Sequence, residues 1–356
     1  MGRGKSIFAI TVHRLLLIIA AGLLVLSYIS FLFNPAKAWF MTLFGLAFPL
    51  LLILNIFLLL WAILRRSKAF IIPLLALLPT VFIVGRYYRP SHEEVEKTAS
   101  GGLKVLSYNV GRFSSRGFQS KKACADSVME YIRRQSPDVI CLQEFYMDDA
   151  DKVKSYLSKK FRGYDIEYFV FPTDNGCYGN VTLSRHSIKN RGHIDFNESA
   201  NLAIFCDFEV GDVRYRVYNC HLQSYGISLA SIAKSIKDSG ERKKTESKLR
   251  ASIRMRPRQV GQIMDNIEEC PYPAILVGDF NDTPSSYTYR RLLRGRKDSF
   301  IEAGDGFGAT YSLFRPFLRI DYIMYPQECE ALTHEVDQVR YSDHYPVISK
   351  IDFPKR

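Results

Sequence analysis

The sequence predicts a mixed α/β (α+β) domain preceded by about three transmembrane helices. Three observations predict it. Apolar residues crowd into uncharged runs within the first quarter of the chain. Beyond residue 102, β-like runs alternate with segments whose apolar residues recur at three- and four-residue steps. The 47 % hydrophobic content of the 356 residues still leaves enough apolar side chain for one large core once the first block is set aside. Composition excludes a disordered chain, a collagen-like repeat and a small disulfide scaffold.

Residues 1–90 read as the membrane region. The run 15–33 holds 19 residues without a charge and 38–64 holds 27, each long enough to cross about 30 Å of hydrocarbon. A third run, 69–84, has 16 residues and contains Pro73 and Pro79, so it spans only when extended to 69–88. Arg3, Lys5 and Arg14 precede the first span and Arg65, Arg66 and Lys68 follow the second, which places the N-terminus and the second loop in the cytoplasm. Three passes then put the rest of the chain on the extracytoplasmic side of an inner or plasma membrane. A competing reading makes the first span a signal peptide cleaved near Ala36-Lys37-Ala38, which leaves the domain on the same side. Of the net charge of +12, +7 lies in residues 1–97 (ten Lys/Arg against three Glu); the mildly basic remainder is weak support for a nucleic-acid partner.

A charged, small-residue linker, 91–102, leads to a domain over 103–356. Strands are predicted at 104–108, 138–142, 181–184, 203–210, 213–221, 274–277, 320–325 and 346–351, with a hairpin about Gly211-Asp212. Helices are predicted at 121–134, 151–160 and 258–268. The segment 224–258 stands apart, with ten Lys/Arg against three acids from Lys234 to Arg258. It reads as a solvated helix and loop, or as a surface for membrane phosphates or a polyanionic substrate. All seven cysteines lie in the domain without metal-ligand spacing and read as buried thiols; their odd number counts mildly against an oxidising compartment.

Six short pieces place polar or acidic residues where apolar strands end: SYN at Asn109, LQE at Glu144, YNCH at His221, GDFN at Asp279 and Asn281, RID at Asp321, and SDH at Asp343 and His344. Each alone reads as a strand end and a turn. Together they supply hard oxygen ligands for a divalent cation, an oriented base and donors for a phosphate. In this order, SYNV, LQEF, NCHLQS, GDFNDTP, RIDYI and SDHYPV resemble the endonuclease/exonuclease/phosphatase family, the superfamily of pancreatic deoxyribonuclease, apurinic endonucleases, inositol-polyphosphate 5-phosphatases and neutral sphingomyelinases. The resemblance covers the whole domain and none of the membrane region.

That resemblance implies a four-layer α/β/β/α sandwich of two mixed sheets. It implies Glu144 as the principal ligand of Mg²⁺ (or Mn²⁺), with Asn109 beside it and Asp343 at or near the cation. His344 matches the catalytic histidine and Asp321 the carboxylate that orients it. Asp279 and Asn281 would position the attacking water and bond a phosphate oxygen, and His221 would stabilise charge on the phosphoryl group or leaving oxygen. The expectation is therefore a membrane-anchored, metal-dependent, nuclease-like hydrolase of phosphodiesters. Alternatives are a phospholipid or sphingomyelin-type phosphodiesterase, a phosphomonoesterase, and a membrane protein that binds a phospho-ligand without turnover. The expected partners are the bilayer and a phosphoester substrate, nucleic acid or phospholipid headgroup, with no obligate protein partner.

Overall fold

A computed structural model describes residues 2–90, 102–196, 199–226, 229–313 and 315–354. The predicted linker lies outside the described residues except for Gly102.

The N-terminal region is helical. Helix α1 (Gly2–Ile29) is followed by a short turn of 3₁₀ helix, then by α2 (Met41–Leu46), α3 (Phe48–Leu64) and α4 (Ile71–Leu77). The stretch Ile10–Leu32, 23 residues, is long and apolar enough to cross a membrane; it is the one such helix among the described residues, where three spans are expected. The second predicted span divides at Ala47, and Pro49, which has no N–H to give, sits in the first turn of α3 and leaves it 17 residues, about 26 Å. The third is shorter still: α4 passes at Pro79 into a 3₁₀ turn, Leu78–Phe82. The three helices nevertheless pack together. Tyr28 meets Phe48 and His13 meets Trp61, with ring centroids 5.9 and 4.8 Å apart, so α1 and α3 run antiparallel. Tyr28 also donates to the Ala76 carbonyl at 2.9 Å, bringing the end of α4 back to the end of α1.

The domain begins after β1 (Tyr88–Arg89). Its elements are β2 (Leu103–Asn109), α5 (Lys121–Gln135), β3 (Val139–Met147), α6 (Val153–Lys160), β4 (Asp165–Thr173), β5 (Gly176–Ser184), β6 (Asn190–Asp195), β7 (Leu202–Val210), β8 (Val213–His221), α7 (Leu229–Lys237), α8 (Ser239–Glu268), β9 (Ala274–Asp279), α9 (Tyr287–Leu293), β10 (Arg296–Asp298), α10 (Ser299–Ala303), β11 (Gly306–Phe307), β12 (Asp321–Pro326), β13 (Glu330–Val336) and β14 (Val347–Asp352). Two six-stranded mixed sheets form, in the orders β13-β14-β2-β3-β5-β4 and β10-β12-β9-β8-β7-β6. Period-two alternation sorts their side chains. Val105, Val139 and Cys141 face Val217, Ile275 and Ile323 between the sheets. Leu106, Ile140 and Leu142 face outward under Val128 and Ile132 of α5. Leu276 and Tyr322 face Val260 and Ile263 of α8 on the other side. The result is the expected α/β/β/α sandwich.

Two sequence readings meet their outcome here. All seven cysteines are free, and all but Cys270 are buried, as buried thiols should be. The basic segment is mostly α7 and α8, the latter capped by Asp238, which accepts from the Gly240 and Glu241 amides. Arg256, however, is not a surface charge: it is buried, paired with Asp282 at 2.7 Å and stacked 4.2 Å over Tyr225.

Candidate active site

The register of the strands gathers the polar strand ends. Parallel pairing sets Asn109 of β2 beside Gln143 of β3 and His221 of β8 beside Asp279 of β9. Antiparallel pairing sets Asp321 of β12 opposite Asp279. Glu144 falls within a bulge in the β3–β5 ladder and carries φ 51°, and Asn281 carries the same φ just past β9. Positive φ at non-glycine residues is costly and persists where surrounding structure enforces it. Gly278 allows the close approach beneath: its φ is +133° and a Cβ there would lie 2.0 Å from the Cys220 carbonyl oxygen.

Asp279 is the hub. Its Oδ2 accepts from Asn109 Nδ2 at 2.9 Å and from Asn281 Nδ2 at 3.0 Å, and its Oδ1 accepts the Asn281 backbone N–H at 2.8 Å. His221 Nε2 lies 3.9 Å and His344 Nε2 3.6 Å from the same Oδ2. His344 Nδ1 bonds Asp321 at 2.9 and 3.1 Å. Glu144, a quarter exposed, stands 3.7 Å from His221 Nε2, 3.5 Å from Asn109 Nδ2 and 3.3 Å from Arg112 Nε. Asp343 is exposed, next to His344 and close to Gly111, whose N–H bonds Asn109 Oδ1 at 3.0 Å.

Charge is distributed unevenly among these groups. Burial opposes a charge on His344, yet Asp321 and Asp279 together raise its pKa well above the ordinary imidazole value. Burial raises Asp279 above the usual carboxylate range, against the pull of His344 and His221. Asp279, Asp321 and His344 have ligand atoms within 4.8 Å of one another, a spacing a metal could use. His344 Nδ1 already bonds Asp321, which leaves Nε2 as the ring nitrogen facing Asp279. Glu144 is the accessible carboxylate, Asp343 adds a second at the rim, and Asn109 turns its Nδ2 toward Glu144 and Asp279 while its Oδ1 accepts from Gly111. This donor set fits a hard divalent cation.

The structure thus brings Asn109, Glu144, His221, Asp279, Asn281, Asp321 and His344 into one cluster and leaves Asp343 at its rim. Sequence reasoning missed Arg112, which pairs with Glu144 from a φ of 54° and lies 4.1 Å over Tyr178. It also missed Tyr311, whose ring meets His344 edge-on at 4.9 Å. Under the site, Gln143 donates to Asn219 Oδ1 at 2.8 Å, while Asn219 donates to the Leu142 and Val181 carbonyls at 3.1 and 2.9 Å. This buried network ties one sheet to the other; only the presence of Gln143 and Asn219 inside the LQE and YNCH pieces signalled it.

Solved structures share the fold at low identity. An endonuclease/exonuclease/phosphatase from Beutenbergia cavernae is 17 % identical with a TM-score of 0.54, covering 70 % of this chain and 71 % of that one. The human Nocturnin catalytic domain with bound sulfate anion is 18 % identical, TM-score 0.53, covering 71 % and 94 %. A mannosyl-6-phosphatase of Bacteroides thetaiotaomicron is 18 % identical, TM-score 0.51, covering 70 % and 100 %. No curated protein matches the chain. Residues 7–87 match a family described as a domain of unknown function (DUF8431). Residues 106–344, about two thirds of the chain, match the Endonuclease/Exonuclease/phosphatase family. The chain therefore belongs to that family, and is an enzyme of its kind, a metal-dependent hydrolase of phosphoester bonds.

Proposed function

We propose that the chain is a membrane-anchored, Mg²⁺- or Mn²⁺-dependent phosphodiesterase with its domain outside the cytoplasm. The observation that carries the chemistry is the placement of the His344–Asp321 pair and His221 on either side of Asp279, with Glu144 alongside. Glu144, Asn109 and Asp343 would hold the cation, which supplies Lewis-acid polarisation of the phosphoryl oxygens. Asp321 keeps a proton on Nδ1, and because the same carboxylates favour the imidazolium, Nε2 takes a proton from water only in the fraction of molecules in which it is neutral. Asp279 and Asn281 orient that water for in-line attack, and Asp279 also favours the imidazolium that forms. His221 Nε2 is aimed to stabilise charge on the phosphoryl group or the leaving oxygen.

The anchor rests on the outward faces of the helices. Leu15, Ile18, Leu50, Phe57, Leu75 and Phe82 are all exposed, large apolar side chains that a bilayer would cover. Arg14, Arg65, Arg66 and Lys68 lie at the end of the bundle remote from the domain, and the excess of positive charge in cytoplasmic loops supports reading that end as the cytoplasmic one.

His221 favours a nuclease-like substrate. A phospholipid headgroup is the second reading, favoured by the contact of the loop after GDFN with the helices: Ser30 Oγ and Tyr87 OH bond Ser285 at 3.2 and 2.9 Å. The test uses the full chain in detergent, with Mg²⁺ or chelator, against duplex and single-stranded nucleic acid, sphingomyelin, phosphatidylinositol phosphates and small phosphomonoesters. Metal-dependent cleavage reduced by several powers of ten in Glu144→Ala and in His344→Ala is expected. Activity unchanged in both overturns the assigned roles.

A further inference from the structure

Away from the catalytic cluster, a cavity of about 720 Å³ opens where the helical region meets the domain. Phe31, Arg86, Arg290, Arg291, Arg294 and Arg296 line it, so five guanidinium groups share one hollow without a carboxylate among the lining residues. None of the five forms an ion pair among the described residues, although Arg319, Arg256 and Arg216 nearby in the fold are each paired with an aspartate. Arg296 is the most telling. It is 9 % exposed, its Nη1 donates to the Leu292 and Arg294 carbonyls at 2.9 and 2.8 Å, and its Nε has no partner.

Aromatic faces hold two of the other charges, Arg86 and Arg290, in place. Arg290 lies 5.4 Å over the Phe31 ring, and Arg86 lies 6.0 Å over Phe31 and 5.7 Å over Tyr289. Five like charges lining one hollow repel one another, Arg296 most since it is buried, and their repulsion is relieved when an anion enters. Guanidinium forks match phosphate oxygens in particular. The cavity is also separate from the chemistry. Arg296 pairs with Pro326 at one end of β12 and Asp321 stands at the other, five residues or about 17 Å away.

We propose that this cavity is a binding site for a phosphate-bearing anion, distinct from the catalytic site. Phe31 lies at the end of the apolar stretch Ile10–Leu32, which on the membrane reading above is the depth where a lipid headgroup meets the hydrocarbon. An anionic phospholipid headgroup is thus one source of the phosphate and a soluble phosphate the other. The lipid source rests on the membrane reading above; the anion site rests on the arginines alone.

The test follows the melting of the full chain in nanodiscs of phosphatidylcholine, of phosphatidylcholine with phosphatidylglycerol, and of phosphatidylcholine with added inorganic phosphate. Phosphatidylglycerol should raise the melting temperature by several degrees, and Arg290→Gln/Arg294→Gln should abolish the rise. Both replaced side chains are exposed, and Arg291→Gln alone gives the same readout with a smaller loss should the double variant melt early. A rise with inorganic phosphate only assigns the site to a soluble phosphate. No rise with either anion, or an equal rise in the variants, overturns the proposal. Failure of the membrane reading shows separately, as release of the chain into an alkaline carbonate wash.

Discussion

The two ring nitrogens of His344 have different neighbours, and that asymmetry decides what the residue can do. Asp321 at 2.9 Å fixes a proton on Nδ1 and balances the charge that appears when Nε2 is protonated. Asp321→Asn keeps the shape, loses the charge and permits the wrong tautomer. It should lower kcat by about 10²–10⁴-fold with little change in KM. Steady-state kinetics beside a circular-dichroism spectrum check this, and an unchanged kcat removes Asp321 from the chemistry. Residues of this sort were legible in sequence because each follows an apolar strand and ends it. Arg112 and Tyr311 were not, because neither ends a strand: Arg112 reaches Glu144 through a left-handed backbone turn, and Tyr311 reaches His344 through a single bridge between loops.

At the scale of elements, the eight strands predicted from sequence are β2, β3, β5, β7, β8, β9, β12 and β14, every one interior to its sheet. Of the six that were missed, β1 and β11 form a separate two-residue pair, and β4, β6, β10 and β13 are the four edges of the two large sheets. An edge strand buries less of itself, so its sequence carries polar residues where alternation would be read, as in NRGHID and EALTHEV. His334 on β13 shows what such an edge can still bury. Its Nδ1 meets Ser299 Oγ at 2.7 Å, and burial, opposed by Asp298 and aided by Arg319, pushes its pKa from 6.5 down to about 3. Between those values the unfolded chain binds a proton that the folded chain refuses. The contribution of His334 is therefore complete above the upper value and is lost as pH falls toward the lower, with a slope of up to about 1.4 kcal/mol per pH unit. His334→Asn should flatten this acid limb of a denaturation-midpoint series; an identical limb shows that other groups set it. The basic segment offers a second test. Arg256→Met leaves Asp282 buried with only the Tyr225 hydroxyl and the Thr283 backbone N–H for partners, and should cost about 3–5 kcal/mol in chemical denaturation. A loss below about 1 kcal/mol returns Arg256 to the solvated surface.

At the scale of the molecule, the apolar runs announced a helical region but not how it is joined to the domain. Length and hydropathy predict spans; they do not report the break at Ala47 or contacts made across 200 and more residues. Those contacts reach the loop after GDFN and the residues just before β12. Arg86 Nη1 donates to the Pro284 carbonyl at 3.2 Å, Tyr87 OH to Ser285 Oγ at 2.9 Å, and Arg319 Nε to the Arg86 carbonyl at 3.0 Å. Strands β1 and β11 pair beside them, with Tyr88 and Phe307 rings 4.9 Å apart. The joint is tight because Gly45 lets α2 close on it: a Cβ there would lie 2.7 Å from the Ser285 carbonyl oxygen and 2.6 Å from Ser30 Oγ. Backbone cannot yield as a flexible side chain does, so Gly45→Val must push α2 away from the loop. If the helices and the domain unfold as one unit through this joint, the wild-type chain in detergent melts in a single calorimetric transition and the variant in two, the helical region separating from the domain. A single transition at an unchanged temperature in both proteins means that the two parts stand independently and that the loop after GDFN is held by the domain alone.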